Sequence, residues 1–331
     1  MRREGSPFTG TGAVFAKEYA DHLGSARMRV IEALVVIVGV VVVWVAMRDL
    51  KDKVTQDQFI FLRLFTYAPE SNPVNFAGLL TFLIPLVAIG LGFDAINGEF
   101  NRRTMSRVLS QPIYRDALLI GKFLAGLATL ATGLIALWLL VMGGGLIVLG
   151  VPPSGEEVAR GLAFLVIATA YGGVWLAIAM LCSIIFRSAA TSALTALGIW
   201  LFFSFLWPVI APAIFDGILP LIAPQRVLAG SATADDVAGL LDVQQLIMRF
   251  SPTVVFQEAW LGVFSPDQFT EQQIMRIRLD PRLGHRVIPG SPLSFGQSLL
   301  MVWPQFTFMV AGAIVIFTLG YVSFQRQEVR A

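Results

Sequence analysis

The chain has 331 residues, of which 56% are hydrophobic and only 14% charged, with a formal net charge of +2. A soluble domain averages ~45–50% apolar and ~25% charged, so a water-soluble enzyme is excluded, as is a disordered chain, which needs the opposite balance. The small net charge gives no basis for a nucleic-acid partner, and one cysteine, Cys182, allows neither an internal disulfide nor a thiolate metal cluster.

The expected fold is an all-α polytopic membrane protein. Residues 1–29 form an N-terminal segment. Arg2 and Arg3 are followed by Gly, Pro and Thr rather than by an apolar core, so no cleavable leader is expected and the first span serves as the anchor. Phe15, Tyr19 and Leu23 recur at spacing four beside Val14, while Lys17, Glu18, Asp21 and His22 take other faces. That pattern predicts an amphipathic helix over 12–24 lying in the membrane interface and turning inward near Ser25. A cytosolic helix packed on another element is the alternative.

About 20 apolar residues cross the hydrocarbon, and six stretches qualify: 30–47, 74–93, 123–150, 161–186, 188–212 and 299–324. Residues 217–224 are apolar but too short to span, and read as an interfacial or re-entrant piece. With the N-terminus inside, thirteen Lys and Arg fall in inner loops and five in short outer loops (Arg160 among the latter), and the remaining six lie in the long segment 216–298. The positive-inside rule then places both termini in the cytoplasm. The expected division is 1–29, spans one to five over 30–215, an extracytoplasmic helical segment over 216–298, and the sixth span with its tail over 299–331.

No span carries a charge at its middle, where an ion-coupled porter keeps one. Glu32 lies at the inner end of the first span and reads as a solvated helix end. The two histidines, His22 and His285, fall on opposite sides, and HExxH, GxSxG and Walker-type patterns are absent from the sequence. The chain itself is therefore expected to be no enzyme and to bind no metal or cofactor.

The loop between the second and third spans, 98–116, is the most informative stretch. Asp94 and Glu99 are followed by Arg103-Thr104-Met105, Leu109-Ser110, Pro112, and then Arg115, Leu118-Leu119 and Gly121-Lys122. Pro112 disfavours helix at the residue before it, which predicts two short helices with a break, a rigid polar surface on which a soluble partner docks. A solvated anchor of positive charge is the bland alternative.

These residues resemble the permease subunits of ABC-2-type transporters, in particular the subfamily that includes the permease of nitrous oxide reductase maturation systems. Phe250-Ser251-Pro252-Thr253 leading into Phe256-Gln257-Glu258-Ala259 agrees with that family, while Arg103 stands where the family usually has Gly. The resemblance implies a membrane permease subunit, multi-pass in the inner (plasma) membrane. It would pair with a second permease copy and sit above a dimer of separate ATP-binding subunits, which alone would hold ATP and magnesium. Loop 98–112 would be the coupling helix, with Glu99, Arg102 and Arg103 making charged contacts to the ATPase and Met105 and Leu109 filling its groove. The product would be substrate export or force transmission to an extracytoplasmic partner. A membrane-embedded enzyme or assembly factor without an ATPase is the competing reading.

Two further expectations concern the outer half. Gly143, Gly144 and Gly145 read either as a softened, bending end of the third span or as tight packing. In the outer segment, 233–249 and 253–264 carry helical patterns and 266–277 reads as a third helix. Arg276, Arg278, Arg282, His285 and Arg286 form a positive run there. Closing the outer mouth, meeting a partner protein or meeting lipid are all open to this segment.

Overall fold

The computed structural model describes residues 10–51, 59–68, 75–101, 115–223, 234–265 and 293–326. Every regular element among them is helical: α1 (Thr11–Gly24), α2 (Ala26–Leu50), α3 (Ile60–Thr66), α4 (Phe76–Gly92), α5 (Asn97–Asn101), α6 (Arg115–Leu149), α7 (Gly155–Ile185), α8 (Ala189–Leu201), a π-helical turn (Phe202–Leu206), α9 (Trp207–Ile222), α10 (Ala234–Met248), α11 (Pro252–Phe264) and α12 (Phe295–Arg326).

Six helices are long and apolar enough to cross a membrane: Met28–Leu50, Phe76–Asn101, Arg115–Leu149, Gly155–Ile185, Ala189–Ile222 and Phe295–Arg326. Each matches an expected span, and six crossings return the chain to its starting side. The start of α6 and the end of α12 indeed meet there, where the Gln325 amide donates to the Asp116 carboxylate. This side is called the terminal face below, and the other the distal face.

The helices outrun the hydrocarbon at several ends because polar caps continue them. Ser25 accepts from the Met28 amide at 3.1 Å and starts α2. A reciprocal Ser154–Glu157 capping box starts α7 six residues before the expected span. The short apolar piece 217–224 is not interfacial or re-entrant as its length suggested. Residues 217–222 extend the fifth span, in which Pro212 and Pro220 are accommodated inside α9.

The fourth span, α7, is the hub, with 78% of its most apolar window buried against 11% for the fifth span. Glycines on neighbouring helices allow close approach: a Cβ on Gly92 would lie 2.8 Å from Ala179 Cβ, and one on Gly126 would lie 2.9 Å from Leu176 Cδ2. Small residues do this work in lipid, where apolar burial gives no preference for helix over solvent.

The segment after the fifth span returns to the bundle instead: α10 packs along α9, and α11 enters between other helices. Thr253, Val255, Phe256, Ala259, Trp260, Val263 and Phe264 are buried, packed among α3, α4, α7 and α12. At the start of α11 Thr253 Oγ1 meets the Tyr171 hydroxyl at 3.3 Å and Ser204 Oγ at 3.2 Å, and Ser251 Oγ donates to the Phe203 carbonyl at 3.0 Å. That carbonyl belongs to the π-turn, whose altered hydrogen-bond register frees acceptors for other partners.

At its other end α11 is clamped by Arg160, counted from sequence as an outer-loop charge yet completely buried. Its Nε and one terminal nitrogen donate to Glu156 at 3.0 and 2.7 Å. The remaining N–H groups reach the Val263 and Leu293 carbonyls and Ser298 Oγ at 2.9, 2.6 and 2.9 Å. All five guanidinium donors are used, and the rings of Phe59 and Phe295 lie within 6 Å of its Cζ.

The apolar helix α3, also distal, was not foreseen; its Phe61 amide donates to Glu157 at 2.8 Å. The third helix expected at 266–277 and the positive run from Arg276 to Arg286 lie outside the described residues.

Candidate functional site at the stem of the loop between the second and third spans

The chain does not break off its regular structure at the end of the second span's apolar run. After α4, a turn over 93–96 leads into α5, and this stem carries the loop on the terminal face. Three sets of contacts fix it. Ser183 Oγ, near the end of α7, accepts from the Ile96 and Asn97 amides at 2.9 and 3.1 Å. The Asn97 side-chain amide donates to the Phe186 carbonyl at 3.1 Å, and that of Asn101 to the Arg187 carbonyl at 3.1 Å. Those bonds staple the stem to the tight turn between spans four and five.

The third anchor is ionic. Lys122 lies in α6 and is 5% exposed; its Nζ sits 3.4 Å from Glu99 Oε1 on the stem and 2.9 Å from Glu18 Oε2 on α1. Glu18 in turn receives Lys17 at 3.0 Å, and Lys17 reaches Asp21 at 3.1 Å. Burial alone would raise the Glu18 carboxyl, but Lys122 and Lys17 outweigh it and hold the group below its ordinary value. Burial would lower Lys17, yet hydrogen bonds to Glu18 and Asp21 carry it above its ordinary value. These groups border a cavity of about 340 Å³ that also takes in His22, Asp94 and Met180.

Helix α1 reaches this point because α6 accommodates it. Val14 is the buried residue of α1, and a Cβ on Gly121 would stand 2.7 Å from Val14 Cγ1, so only glycine leaves room. Farther along, the Tyr19 hydroxyl and Thr132 Oγ1 are 2.8 Å apart, and Phe15 stacks on Tyr19 with ring centroids at 5.8 Å. Leu23 is 37% exposed. Of the expected stripe, Tyr19 thus meets α6 and Phe15 stacks on it, with Val14 as the anchor of the helix.

Of the residues expected to meet an ATPase, only Glu99 lies among the described residues, and the structure brings it to Lys122. Arg102, Arg103, Met105 and Leu109 fall outside them. Gly143, Gly144 and Gly145 are all inside α6. A Cβ would lie 2.8 Å from Phe61 and Leu64 at Gly145 and 3.0 Å from Met47 at Gly144, and would meet nothing within 4 Å at Gly143.

Sequence reasoning missed Asn97, Asn101 and Ser183, small polar residues whose partners lie some 86 positions away. Lys122 carried a usable signal: a lysine beside a long apolar run needs an acidic partner, and Glu18 and Glu99 both flank neighbouring spans on the same side.

Among the described residues no group of His, Cys, Asp or Glu is arranged to hold a metal. The stem offers mechanical continuity: a loop whose root is bonded to α6 and α7 and, through Lys122, linked to α1. A sequence profile of the ABC-2 family transporter proteins matches residues 12–329. The chain belongs to the ABC-2 family.

Two curated relatives of this ABC-2 chain are described as "Probable ABC transporter permease protein NosY". The protein from Stutzerimonas stutzeri is 33% identical over 145 residues, covering 42% of this chain and 50% of its own length. That from Pseudomonas aeruginosa is 33% identical over 149 residues, covering 43% and 52%. The chain thus spans about half the length of the curated relatives it matches. Family and helices together make it a multi-pass membrane permease subunit.

Proposed function

We propose that this ABC-2 permease couples ATP hydrolysis in a separate ATP-binding subunit to substrate export or to force transmission across the inner membrane. Its termini and the loop 98–116 face the cytoplasm. Glu99, Arg102, Arg103, Met105 and Leu109 belong to the coupling helix, which sits in a groove of the ATPase. ATP and magnesium bind the partner alone.

The observation that carries this reading is the triple anchorage of the loop stem. A push on a loop tied only to its own two spans would be absorbed by bending at its ends. Here Ser183, Asn97 and Asn101 pass displacement to the fourth span, and Lys122 passes it to the third span and α1. The fourth span then delivers it to Arg160 at the distal face, where the two feet of the segment beyond residue 265 are held. That route supports force transmission as readily as export.

A second permease copy packs along the fifth span. That helix leaves its apolar side uncovered, with Phe205, Leu206 and Val209 exposed. Beside it, Arg249 is one-third exposed while paired with Glu258 at 2.7 Å. Gln305 of α12 also donates to Glu258 at 3.1 Å, about 10 Å along that helix from Ser298, which meets Arg160. An ion pair at such depth belongs against protein or a water-filled vestibule, not lipid.

The test is gentle-detergent affinity purification from native membranes with mass spectrometry of the partners. Wild type should recover a P-loop ATPase. Arg103→Glu should lose it while keeping normal membrane insertion, and Lys122→Met should keep it with weakened coupling between ATP turnover and the distal face. An outer-face protein in the same purification favours force transmission. Absence of any ATPase, under conditions that preserve other membrane complexes, overturns the reading.

A further inference from the structure

Between the first three spans lies a second cavity, of about 180 Å³, whose walls are almost wholly apolar. It is separate from the loop stem and complete within a single copy of the chain. Val36 of α2, Ile84 of α4 and Leu137 of α6 line its deeper part. Its shallow end carries Glu32, Thr132 and Gly133, under the α1–α2 corner.

Glu32 is the anomaly. It is half-buried, about 9 Å along α2 from Ala26, and it forms no ion pair or hydrogen bond among the described residues. A solvated helix end, as the sequence suggested, would turn away from the bundle; this side chain instead borders a cavity between helices. Thr132 cannot neutralise it, since its hydroxyl already donates to the Ala128 carbonyl at 2.8 Å and meets the Tyr19 hydroxyl. A carboxylate against apolar walls at membrane depth is stabilised by a cation, and space that continues from it into hydrocarbon accepts an alkyl tail.

We propose that this cavity binds a single-tailed cationic amphiphile. Its ammonium group pairs with Glu32, and its tail lies between Val36, Ile84 and Leu137. The order of features fixes the class. The acid stands at the mouth and the apolar walls lie deeper, which suits an amine attached directly to a chain. A two-chain phospholipid does not suit it, because its amine lies beyond phosphate and glycerol and would have to fold back past both. The site requires neither ATP nor a second subunit and stands apart from the coupling function.

The chain in phosphatidylcholine nanodiscs tests this with two photoreactive probes that share one diazirine-bearing alkyl tail, one a primary amine and the other an alcohol. Labelled peptides are mapped by mass spectrometry. The amine should label the segments around 83–87 and 130–137 about tenfold more than the alcohol, the scale of one charge-assisted hydrogen bond. Glu32→Gln should bring amine labelling down to the alcohol level and leave the alcohol unchanged. Gly133→Leu should abolish labelling by both, because a Cβ there enters open space and the larger side chain fills the cavity. Elution as a single species on size exclusion confirms that each variant is folded, and Glu32→Gln suffices if Gly133→Leu is not. Equal labelling by amine and alcohol, an amine preference that survives Glu32→Gln, or labels mapping elsewhere overturns the proposal.

Discussion

Replacing Lys122 by Met keeps the length of the side chain and removes its charge. In the wild type both Glu18 Oε2 and Glu99 Oε1 lie on the same Nζ, at 2.9 and 3.4 Å. The two oxygens are therefore within about 6 Å of each other, and at an effective dielectric constant of ~20 their unscreened repulsion is on the order of 3 kcal/mol. Removing one partner of a fully buried pair costs ~3–5 kcal/mol. Here the carboxylates retain some solvent, at 13% and 19% exposure, and Glu18 keeps Lys17. The expected loss is accordingly about 2–3 kcal/mol, concentrated in the docking of α1, because Val14 on Gly121 and Tyr19 on Thr132 still hold its two ends. Amide hydrogen exchange over residues 15–22 should accelerate on the order of 50-fold. Adding Glu18→Gln and Glu99→Gln to Lys122→Met should restore most of the protection, since neutral groups in the same volume are tolerated where a lone charge is not. Exchange within twofold of wild type in the single variant would refute the ionic account of this junction.

Acid and alkali should act on the same helix in opposite ways. Glu18 has its folded-state pKa held below the ordinary 4.5, so its contribution is complete above that value and fades as pH falls through the lower one. Lys17 lies above the ordinary 10.5, so its contribution is complete below that value and fades as pH rises beyond it. Exchange from α1, corrected for intrinsic rates, should be flat between these limits and rise outside them. Arg160→Met leaves two buried carbonyls and a carboxylate without their donor; a cost of ~3–5 kcal/mol should lower the melting temperature by on the order of 10 °C. Arg160→Lys should recover only part of this, having three donors in place of five. Gly145→Leu should destabilise by ~1–3 kcal/mol through collision with Phe61 and Leu64, whereas Gly143→Leu in open space should be near neutral in the same thermal assay.

The six spans were readable because hydrocarbon imposes long charge-free runs, and α1 because Val14, Phe15, Tyr19 and Leu23 keep a helical period. Their limits were less so. A cap such as Ser154–Glu157 lengthens a helix beyond its apolar run, and proline in the fifth span is tolerated where a sequence rule would end it. The long-range pairings were not legible. Arg160 looks like any loop cation until Val263, Leu293 and Ser298, more than 100 positions away, are brought to it. The Glu99–Lys122 contact was hidden for a similar reason, since spacing alone does not reveal that Lys122 turns back onto the stem. The helices α10 and α11 were seen, but the seating of the start of α11 on Tyr171 and the π-turn depends on side-chain hydrogen bonds that no periodicity encodes.

Arg160 also separates two kinds of sequence. Val263 stands near the end of α11 and Leu293 just before α12, and a single guanidinium grips both carbonyls. Whatever lies between is held at its feet, and lengthening a tethered excursion costs only about 0.6 kcal/mol per doubling. The two held ends are thus a socket in the architectural sense: a reporter or binding epitope spliced between them should leave the spans in registration.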